Sequence, residues 1–135
     1  MNKSQLNWKK TILISFLLLS FSSETNAKLP TTIIQSCYDG DTCTTIDGEK
    51  LRLACIDTPE LKGKKAEPIP ATEARDFLNK LLTNEVVTIK RISKDRYGRT
   101  IAELFKNDTN VQELIVDKGY GKIYEKYADQ CDWTQ

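Results

Sequence analysis

Three short segments of the chain carry side chains suited to phosphodiester chemistry. They read Asp-Gly-Asp-Thr at 39–42, Arg-Leu-Ala-Cys-Ile-Asp-Thr-Pro-Glu at 52–60 and Asp-Arg-Tyr-Gly-Arg at 95–99. Their carboxylates offer the oxygen ligands that a hard cation such as calcium or magnesium prefers. Their arginines are planar donors that match the non-bridging oxygens of a phosphate diester. This combination is typical of metal-assisted cleavage of phosphodiester bonds.

The absence of histidine narrows the possible chemistry. None of the 135 residues is a histidine. Serine–histidine and cysteine–histidine nucleophile pairs, imidazole bases and the usual zinc sites are therefore excluded. Carboxylates and arginines remain as the groups available for a hydrolytic reaction.

The pattern of residues predicts five short strands and two helices. The strands are segments rich in β-branched and aromatic residues, bounded by turn residues, at 32–38, 42–46, 50–56, 86–92 and 100–105. Apolar residues at helical spacing predict a helix over 71–82, after an irregular segment at 61–70. Asn110 is a predicted N-cap of a second helix that ends before Gly119. The order β-β-β-α-β-β-α favours an α+β fold that is mainly β, a small closed or partly open barrel of the oligonucleotide-binding (OB) type.

The first 27 residues have the pattern of an export signal. Three lysines precede an apolar stretch from residue 11 to about residue 23, and Ala27 closes the segment with a small side chain. A helix over that stretch reaches only about 20 Å, short of the ~30 Å bilayer core. We therefore predict a signal peptide over 1–27, no stable membrane anchor, and a secreted or periplasmic domain over 28–135.

The predicted mature domain is nearly neutral. Residues 28–135 contain seventeen basic and eighteen acidic side chains, a net charge of −1. Bulk attraction to nucleic acid is therefore absent, and phosphate binding must come from local clusters or from a bound cation. Two basic clusters exist, each either a solvated face or part of a phosphate site: Lys62, Lys64 and Lys65, and Lys90, Arg91, Lys94, Arg96 and Arg99.

The four cysteines all lie in the predicted mature domain, at Cys37, Cys43, Cys55 and Cys131. In an oxidising compartment an even number favours disulfides, and no C-x-x-C pair indicates a zinc site. If Asp47-Gly48 forms a two-residue hairpin turn, Cys43 lies opposite Arg52. Cys55 then falls out of register on the other face, which argues against a Cys43–Cys55 bond. A strand bulge would remove this argument, so the pairing stays open, with a preference for Cys131 bonded back to the barrel.

The three motifs, in this order and at these separations, resemble the thermonuclease family, which includes staphylococcal nuclease. The similarity runs from about Ile33 to Tyr127. It implies a five-stranded OB-fold barrel with two helices and a calcium-dependent nuclease that hydrolyses DNA and RNA with little sequence preference. Family members usually continue into a third C-terminal helix, which we expect to be missing because eight residues follow Tyr127. Cys131 and Trp133 are candidates for a disulfide and an apolar plug in its place.

The resemblance also implies a calcium site. The family's calcium ligands correspond to Asp41, Asp57 and the backbone carbonyl of Thr58. Two carboxylates and a carbonyl would leave positions for water and for a substrate phosphate. Asp39 corresponds to a supporting residue that orients metal-bound water.

The remaining site residues are implied in the same way. Glu60 corresponds to the family's general base, which either removes a proton from the attacking water or orders that water. Arg52 and Arg99 correspond to two arginines that bind phosphate and stabilise the charge of the transition state. Tyr97 and Tyr127 correspond to aromatic residues of the nucleotide pocket. A second tyrosine expected near Tyr127 is replaced by Glu125.

Two alternatives to a nuclease remain at this point. One is a noncatalytic OB-fold barrel that binds nucleic acid or another anion, and the other is a truncated, inactive remnant. The presence of both arginines, both ligand aspartates and the glutamate favours an enzyme. We expect a monomer that acts on DNA and RNA with Ca²⁺ as its cofactor.

Overall fold

The computed structural model describes residues 22–23 and 26–135. Most of the predicted signal peptide lies outside the described residues, so that segment stays a prediction. Within the described part of the chain, no helix is both long enough and apolar enough to cross a membrane.

A closed five-stranded barrel forms the centre of the fold. In chain order the elements are β1 (Thr31–Cys37), β2 (Thr42–Thr45), β3 (Lys50–Leu53), β4 (Ile56–Asp57), α1 (Pro68–Leu82), β5 (Val86–Lys94), β6 (Thr100–Lys106), β7 (Thr109–Asn110), α2 (Val111–Asp117), β8 (Lys122–Ile123) and two 3₁₀ helices (Glu125–Gln130 and Asp132–Thr134). Strands β3, β2, β1, β5 and β6 are hydrogen-bonded in that order, and parallel pairing of β3 with β6 closes the barrel. The predicted OB-type barrel is confirmed.

The apolar core fills the barrel and continues beneath the helices. Its fully buried members include Ile34, Leu51, Leu53, Ile89 and Leu104 from the strands, and Leu78, Leu82 and Ile115 from α1 and α2. The alternation of buried and exposed residues along the strands is what places one face of each strand in this core. The core thereby fixes which side chains of the barrel face outwards.

Both predicted helices form, and one of them begins earlier than expected. α1 starts at Pro68, so the prediction that residues 61–70 are wholly irregular is wrong for its last three residues. A proline lacks the N–H donor that the first turn of a helix leaves unpaired, which makes it compatible with this start. The predicted cap of α2 is confirmed, because Asn110 Oδ1 accepts hydrogen bonds from the N–H groups of Gln112 and Glu113.

The β2–β3 hairpin has a different register from the predicted one. Its loop contains three residues, since Thr45 N–H donates to Glu49 O and the left-handed Gly48 donates to Thr45 O. A three-residue loop of this kind adds a bulge next to the turn. Cys43 therefore lies opposite Leu51, and Arg52 lies opposite Thr42.

The third predicted strand is interrupted. β3 ends at Leu53, and Cys55 adopts a left-handed conformation with φ of 66°. The chain then resumes as β4, which pairs with β8 instead of with the barrel. The prediction of one strand over 50–56 is wrong because a positive φ cannot continue a β ladder.

Two disulfides connect the four cysteines. Cys37 bonds to Cys43 across the β1–β2 pair, and Cys55 bonds to Cys131 near the last described residue. The preference for Cys131 tied back to the barrel is confirmed. Trp133 packs against both apolar clusters of the described residues, in agreement with its predicted role as an apolar plug.

Loss of the long-range disulfide should destabilise the protein more than loss of the short-range one. The loops that the two bonds close span sequence separations of 76 and 6 residues. Loop-closure entropy gives about 4 kcal/mol for Cys55–Cys131 and about 2 kcal/mol for Cys37–Cys43. Urea unfolding of the two double alanine variants measures both free energies. A larger loss for the Cys37→Ala/Cys43→Ala variant would contradict this order.

Candidate active site

The three sequence motifs meet in one cleft of about 1070 Å³. All of the predicted site residues except Thr58 line it: Asp39, Asp41, Arg52, Asp57, Glu60, Tyr97, Arg99 and Tyr127. Thr58 lines a neighbouring cavity of about 390 Å³ that also contains Asp57 and Glu60. The barrel therefore brings together residues that lie up to 88 positions apart in the sequence.

An ion pair between Asp41 and Arg52 lies in this cleft. Arg52 Nη2 is 3.2 Å from Asp41 Oδ2, and the two side chains are only 17% and 11% exposed. The same guanidinium donates from Nη1 to Leu53 O at 2.6 Å and from Nη2 to Ile56 O at 2.8 Å. Arg52 thus also holds the chain where β3 ends and β4 begins. This structural role is not predicted by the sequence motifs.

Asp39 organises the bend that carries Asp41. Its Oδ1 accepts the backbone N–H of Asp41 at 3.0 Å, which is a hydrogen bond typical of aspartate in turns. Thr42 Oγ1 donates to the other oxygen of the Asp41 carboxylate, Oδ1, at 3.0 Å. The Cys37–Cys43 disulfide joins the two sides of the same bend. The orientation of Asp41 is therefore fixed by its neighbours in the chain.

The environment of Asp41 disfavours its ionised form. Burial raises the pKa of Asp41 to about 6, the Arg52 guanidinium opposes this shift, and the Asp39 carboxylate adds to it. Burial and a second carboxylate both penalise negative charge, so one arginine does not neutralise the bend fully. A cation beside Asp41 would relieve this penalty.

The donor atoms near Asp41 suit calcium. Among residues 22–23 and 26–135, no three acidic, histidine or cysteine side chains converge on one point. The predicted set of two carboxylates and one carbonyl does not require a third such side chain, since water completes the shell of a hard cation. In addition, the buried Thr58 hydroxyl faces the Asp41 carboxylate, whose pKa it lowers, and makes no closer hydrogen bond in the described part of the chain. An all-oxygen set with excess buried negative charge is compatible with Ca²⁺.

Asp95 holds Arg99 in place. Arg99 Nε lies 2.7 Å from Asp95 Oδ2, while Asp95 Oδ1 accepts the backbone N–H groups of Tyr97 and Arg99. Burial raises the pKa of Asp95, but these hydrogen bonds and the Arg99 charge outweigh burial and lower it overall. The sequence analysis gave Asp95 no separate role, although an aspartate two residues before a turn tyrosine is a recognisable signal for a side-chain-stabilised turn.

The two predicted aromatic residues line the cleft and are partly exposed. Tyr97 is 68% exposed, and its ring is within 4.8 Å of the Arg96 guanidinium carbon and 5.5 Å of that of Arg99. Tyr127 packs edge-to-face against Tyr124 with ring centroids 5.1 Å apart. Both rings thus remain accessible next to cationic side chains.

Some residues of the predicted basic clusters form ion pairs outside the cleft, and others line the cleft. Lys90 pairs with Glu103, and Arg91 pairs with Glu49. By contrast, the cleft is lined by cations from both clusters: Lys62, Lys65, Lys94, Arg96 and Arg99. The cleft therefore has a local excess of basic groups in a domain that carries almost no net charge.

Two glycines that the sequence analysis did not single out confine Thr58. A Cβ atom on Gly40 would lie 3.0 Å from Thr58 Cβ and 2.8 Å from Ala74 Cβ. A Cβ atom on Gly121 would lie 2.8 Å from Thr58 Cγ2 and 3.0 Å from Asp57 O. Such distances are shorter than a carbon contact tolerates. Glycine is needed at both positions because the backbone approaches the Asp57–Thr58 segment so closely.

Comparison with known proteins assigns the family. The chain belongs to the family described as "Staphylococcal nuclease homologue", which matches residues 50–135. The thermonuclease-like resemblance of its motifs is thereby confirmed. The fold and the family together define a nuclease-like OB-fold protein.

Individual relatives agree with this assignment. An uncharacterised Bacillus anthracis protein is 38% identical over 92 residues, which cover 63% of this chain and 43% of that protein. An Escherichia coli O157:H7 protein named as an uncharacterised endonuclease is 32% identical over 93 residues, 66% of this chain and 58% of that protein. A Staphylococcus hyicus thermonuclease is 32% identical over 121 residues, 82% of this chain and 72% of that protein. The chain spans about half the length of the first two relatives.

Replacement of Gly121 by alanine should destabilise the protein through its contact with Thr58. The new Cβ would overlap Thr58 Cγ2, and overpacking of this kind typically costs about 1–3 kcal/mol. The change Thr58→Ser removes Cγ2, so it should recover part of the loss caused by Gly121→Ala. A double-mutant cycle of unfolding free energies measures this coupling. Strictly additive losses would show that the two side chains do not collide.

Proposed function

We propose that this protein is an exported calcium-dependent nuclease that hydrolyses phosphodiester bonds of DNA and RNA with little sequence specificity. One observation carries the proposal: the buried Asp41–Arg52 pair lies in the same cleft as Asp57, Glu60 and Arg99. Together these groups offer metal ligands, a candidate base and phosphate donors, which suit hydrolysis of a phosphodiester without histidine. The thermonuclease and endonuclease names of relatives support the same activity.

The two arginines would bind the scissile phosphate. Arg52 is held by Asp41 and by two backbone carbonyls, and Arg99 is held through Nε by Asp95. The terminal nitrogens of Arg99 remain for bidentate contact with phosphate oxygens. Donors fixed before the reaction stabilise charge that builds on phosphorus in the transition state, typically by about 3 kcal/mol each.

Glu60 would act on the attacking water. It is exposed and lines both the cleft and the cavity beside Thr58, so a water molecule can reach it from either space. Its carboxylate can accept a hydrogen bond from that water and take up its proton as the water oxygen attacks phosphorus. The ester P–O bond opposite the water then breaks, and the leaving oxygen takes a proton from solvent to become a hydroxyl group. Glu60 would make the same hydrogen bond with the water whether it removes the proton or only orients the water.

Asp41, Asp57 and the carbonyl of Thr58 would hold calcium, with Asp39 supporting Asp41. When bound, Ca²⁺ supplies positive charge that stabilises the negatively charged phosphate. Asp39 and Thr42 hold the Asp41 carboxylate in one orientation before any ion binds. The packing of Gly40 and Gly121 against Thr58 fixes the third donor in the same way.

Export and low sequence specificity follow from different parts of the chain. The predicted signal peptide and two disulfides are both typical of an oxidising compartment outside the cytoplasm. The cleft is lined by arginines, lysines and tyrosines. Cations contact phosphates, and tyrosine rings stack on any base, so neither group distinguishes one sequence from another.

A digestion assay on residues 28–135 tests the proposed function. We expect single-stranded DNA, duplex DNA and RNA to be degraded in millimolar calcium, to survive in excess chelator, and to be degraded again when calcium is restored. Circular dichroism of the same sample serves as the control for folding. A folded protein that leaves all three substrates intact in calcium would overturn the proposal.

The change Arg99→Lys should reduce turnover more than tenfold. Lysine keeps the charge but loses the bidentate contact with phosphate, and removal of a fixed donor costs about 3 kcal/mol. Arg91→Lys is the matched control, because Arg91 pairs with Glu49 outside the cleft. Steady-state cleavage of a fluorogenic oligonucleotide gives kcat for both variants. If Arg99→Lys and Arg91→Lys have the same kcat, Arg99 does not take part in the reaction.

Calcium should stabilise the protein through Asp41. With a Kd near 1 mM, as in many extracellular sites, 10 mM Ca²⁺ would add about 1.4 kcal/mol to the unfolding free energy. Asp41→Asn should abolish this gain, whereas Asp76→Asn, on α1 and paired with Arg75, should retain it. Thermal unfolding with and without calcium measures the effect. Equal stabilisation of both variants would place the ion elsewhere.

A further inference from the structure

Tyr38 is an exposed aromatic residue with no assigned role. It follows the last residue of β1 and directly precedes the Asp39–Asp41 bend. Its side chain is 58% exposed and lines the same cleft as Asp41 and Arg52. Among the described residues, it is not one of the side chains that pack against either apolar cluster. The core therefore does not explain a large ring at this position.

The backbone that carries Tyr38 is firmly held. Its N–H donates to Thr42 O at 2.8 Å, and the adjacent Cys37 is bonded to Cys43. Asn79 of α1 also binds both the N–H and the carbonyl of Cys37, each at 2.8 Å. An exposed ring on a fixed backbone loses little conformational entropy when it contacts a ligand.

The charges around Tyr38 favour a base over a phosphate as its ligand. The cationic side chains of the cleft come from β3, from the 62–65 loop, from the 94–99 segment and from Lys126. The segment 38–42 contributes two carboxylates, from Asp39 and Asp41, and no cation. Tyr38 itself carries no charge that would attract a phosphate, whereas its exposed ring can stack on the uncharged face of a nucleobase. Stacking on the tyrosine ring is the interaction that remains.

The cleft has room for more than one nucleotide. Its volume of about 1070 Å³ exceeds the ~300–1000 Å³ of typical small-molecule sites. The other cleft tyrosines, Tyr97, Tyr124 and Tyr127, come from segments after residue 94. Tyr38 comes from the opposite end of the domain sequence and lies three positions before Asp41. A strand that passes the Asp41–Arg52 pair can therefore meet aromatic rings from separate elements.

We infer that Tyr38 forms an additional base-stacking subsite for a single-stranded segment of a DNA or RNA substrate. This subsite would be additional to the predicted nucleotide contacts of Tyr97 and Tyr127, which line the same cleft. The inference rests on the proposed function and extends it, because the cleft would then contact more of the substrate than the linkage that is cleaved.

Binding of oligothymidylates to Tyr38 variants tests the subsite. Fluorescence anisotropy in excess chelator, which prevents hydrolysis in a calcium-dependent nuclease, gives Kd values for a dinucleotide and a twelve-mer. Tyr38→Leu should raise the Kd for the twelve-mer between about fivefold and a hundredfold, the range expected for one stacked base. It should change the Kd for the dinucleotide less than about twofold. Tyr38→Trp should restore twelve-mer binding, because it restores an aromatic face. Ile69→Ala, which removes an exposed apolar side chain outside the cleft, should have no effect.

Two further measurements separate stacking from other effects of the substitution. With a twelve-mer that lacks all bases, Tyr38→Leu should bind as tightly as the unsubstituted protein. The slope of log Kd against log salt should also be unchanged, since Tyr38 neutralises no phosphate. Thermal unfolding is expected to give the same midpoint for all variants.

The cleavage assay separates failure of this inference from failure of the proposed function. In calcium, Tyr38→Leu should raise KM for the twelve-mer while kcat stays the same. If the unsubstituted protein cleaves the twelve-mer and Tyr38→Leu has the same Kd and KM, the subsite is overturned and the nuclease stands. If Tyr38→Leu weakens binding of the base-containing and the abasic twelve-mer equally, stacking is also overturned. If the unsubstituted protein neither binds nor cleaves the twelve-mer, both proposals fail.

Discussion

The site depends on the register of the β2–β3 hairpin, because this register places Arg52 beside Asp41. The three-residue loop with left-handed Gly48 pairs Thr42 with Arg52, and Asp41 directly precedes Thr42. In a β ladder, a slip of one residue moves every side chain to the opposite face. With such a slip Arg52 would enter the core and Leu51 would leave it, so the same burial that stabilises the barrel enforces the 3.2 Å ion pair.

Next to this pair, the fold holds the carboxylates of Asp39 and Asp41 close together. Their proximity is electrostatically unfavourable, and other contacts of the bend offset it. Burial and the Asp39 charge raise the pKa of Asp41, and a single guanidinium opposes them. The bend nevertheless stays in place, because the Cys37–Cys43 disulfide joins its two sides and Asn79 holds Cys37 from α1. An unfavourable buried charge of this kind is often found at functional sites. It also supplies a physical reason why a cation would be bound there.

The distribution of charge gives the domain a local, rather than a global, excess of positive side chains. Seven cationic and five acidic side chains line the cleft, although residues 28–135 carry a net charge of −1. The acids are concentrated at the Asp39–Asp41 bend, at Asp57–Glu60 and at Asp95, which is paired with Arg99. The remaining cations and the exposed tyrosines surround them. Such an arrangement suits a polymer whose phosphates are spaced along the cleft and whose bases can stack.

The sequence by itself determined the family and the main elements of this protein. The motifs contain most of the acidic and arginine side chains of the cleft. Segments rich in β-branched and aromatic residues predict the barrel strands, apolar periodicity predicts α1, and Asn110 predicts the start of α2, because each of these signals is local. The hairpin register, the break at Cys55, the pairing of the cysteines and the confinement of Thr58 by Gly40 and Gly121 were decided only by the tertiary structure. The Cys55–Cys131 bond and the confinement of Thr58 depend on contacts between residues far apart in the chain, and the hairpin register depends on which face of β3 the core buries, so local spacing specifies none of them.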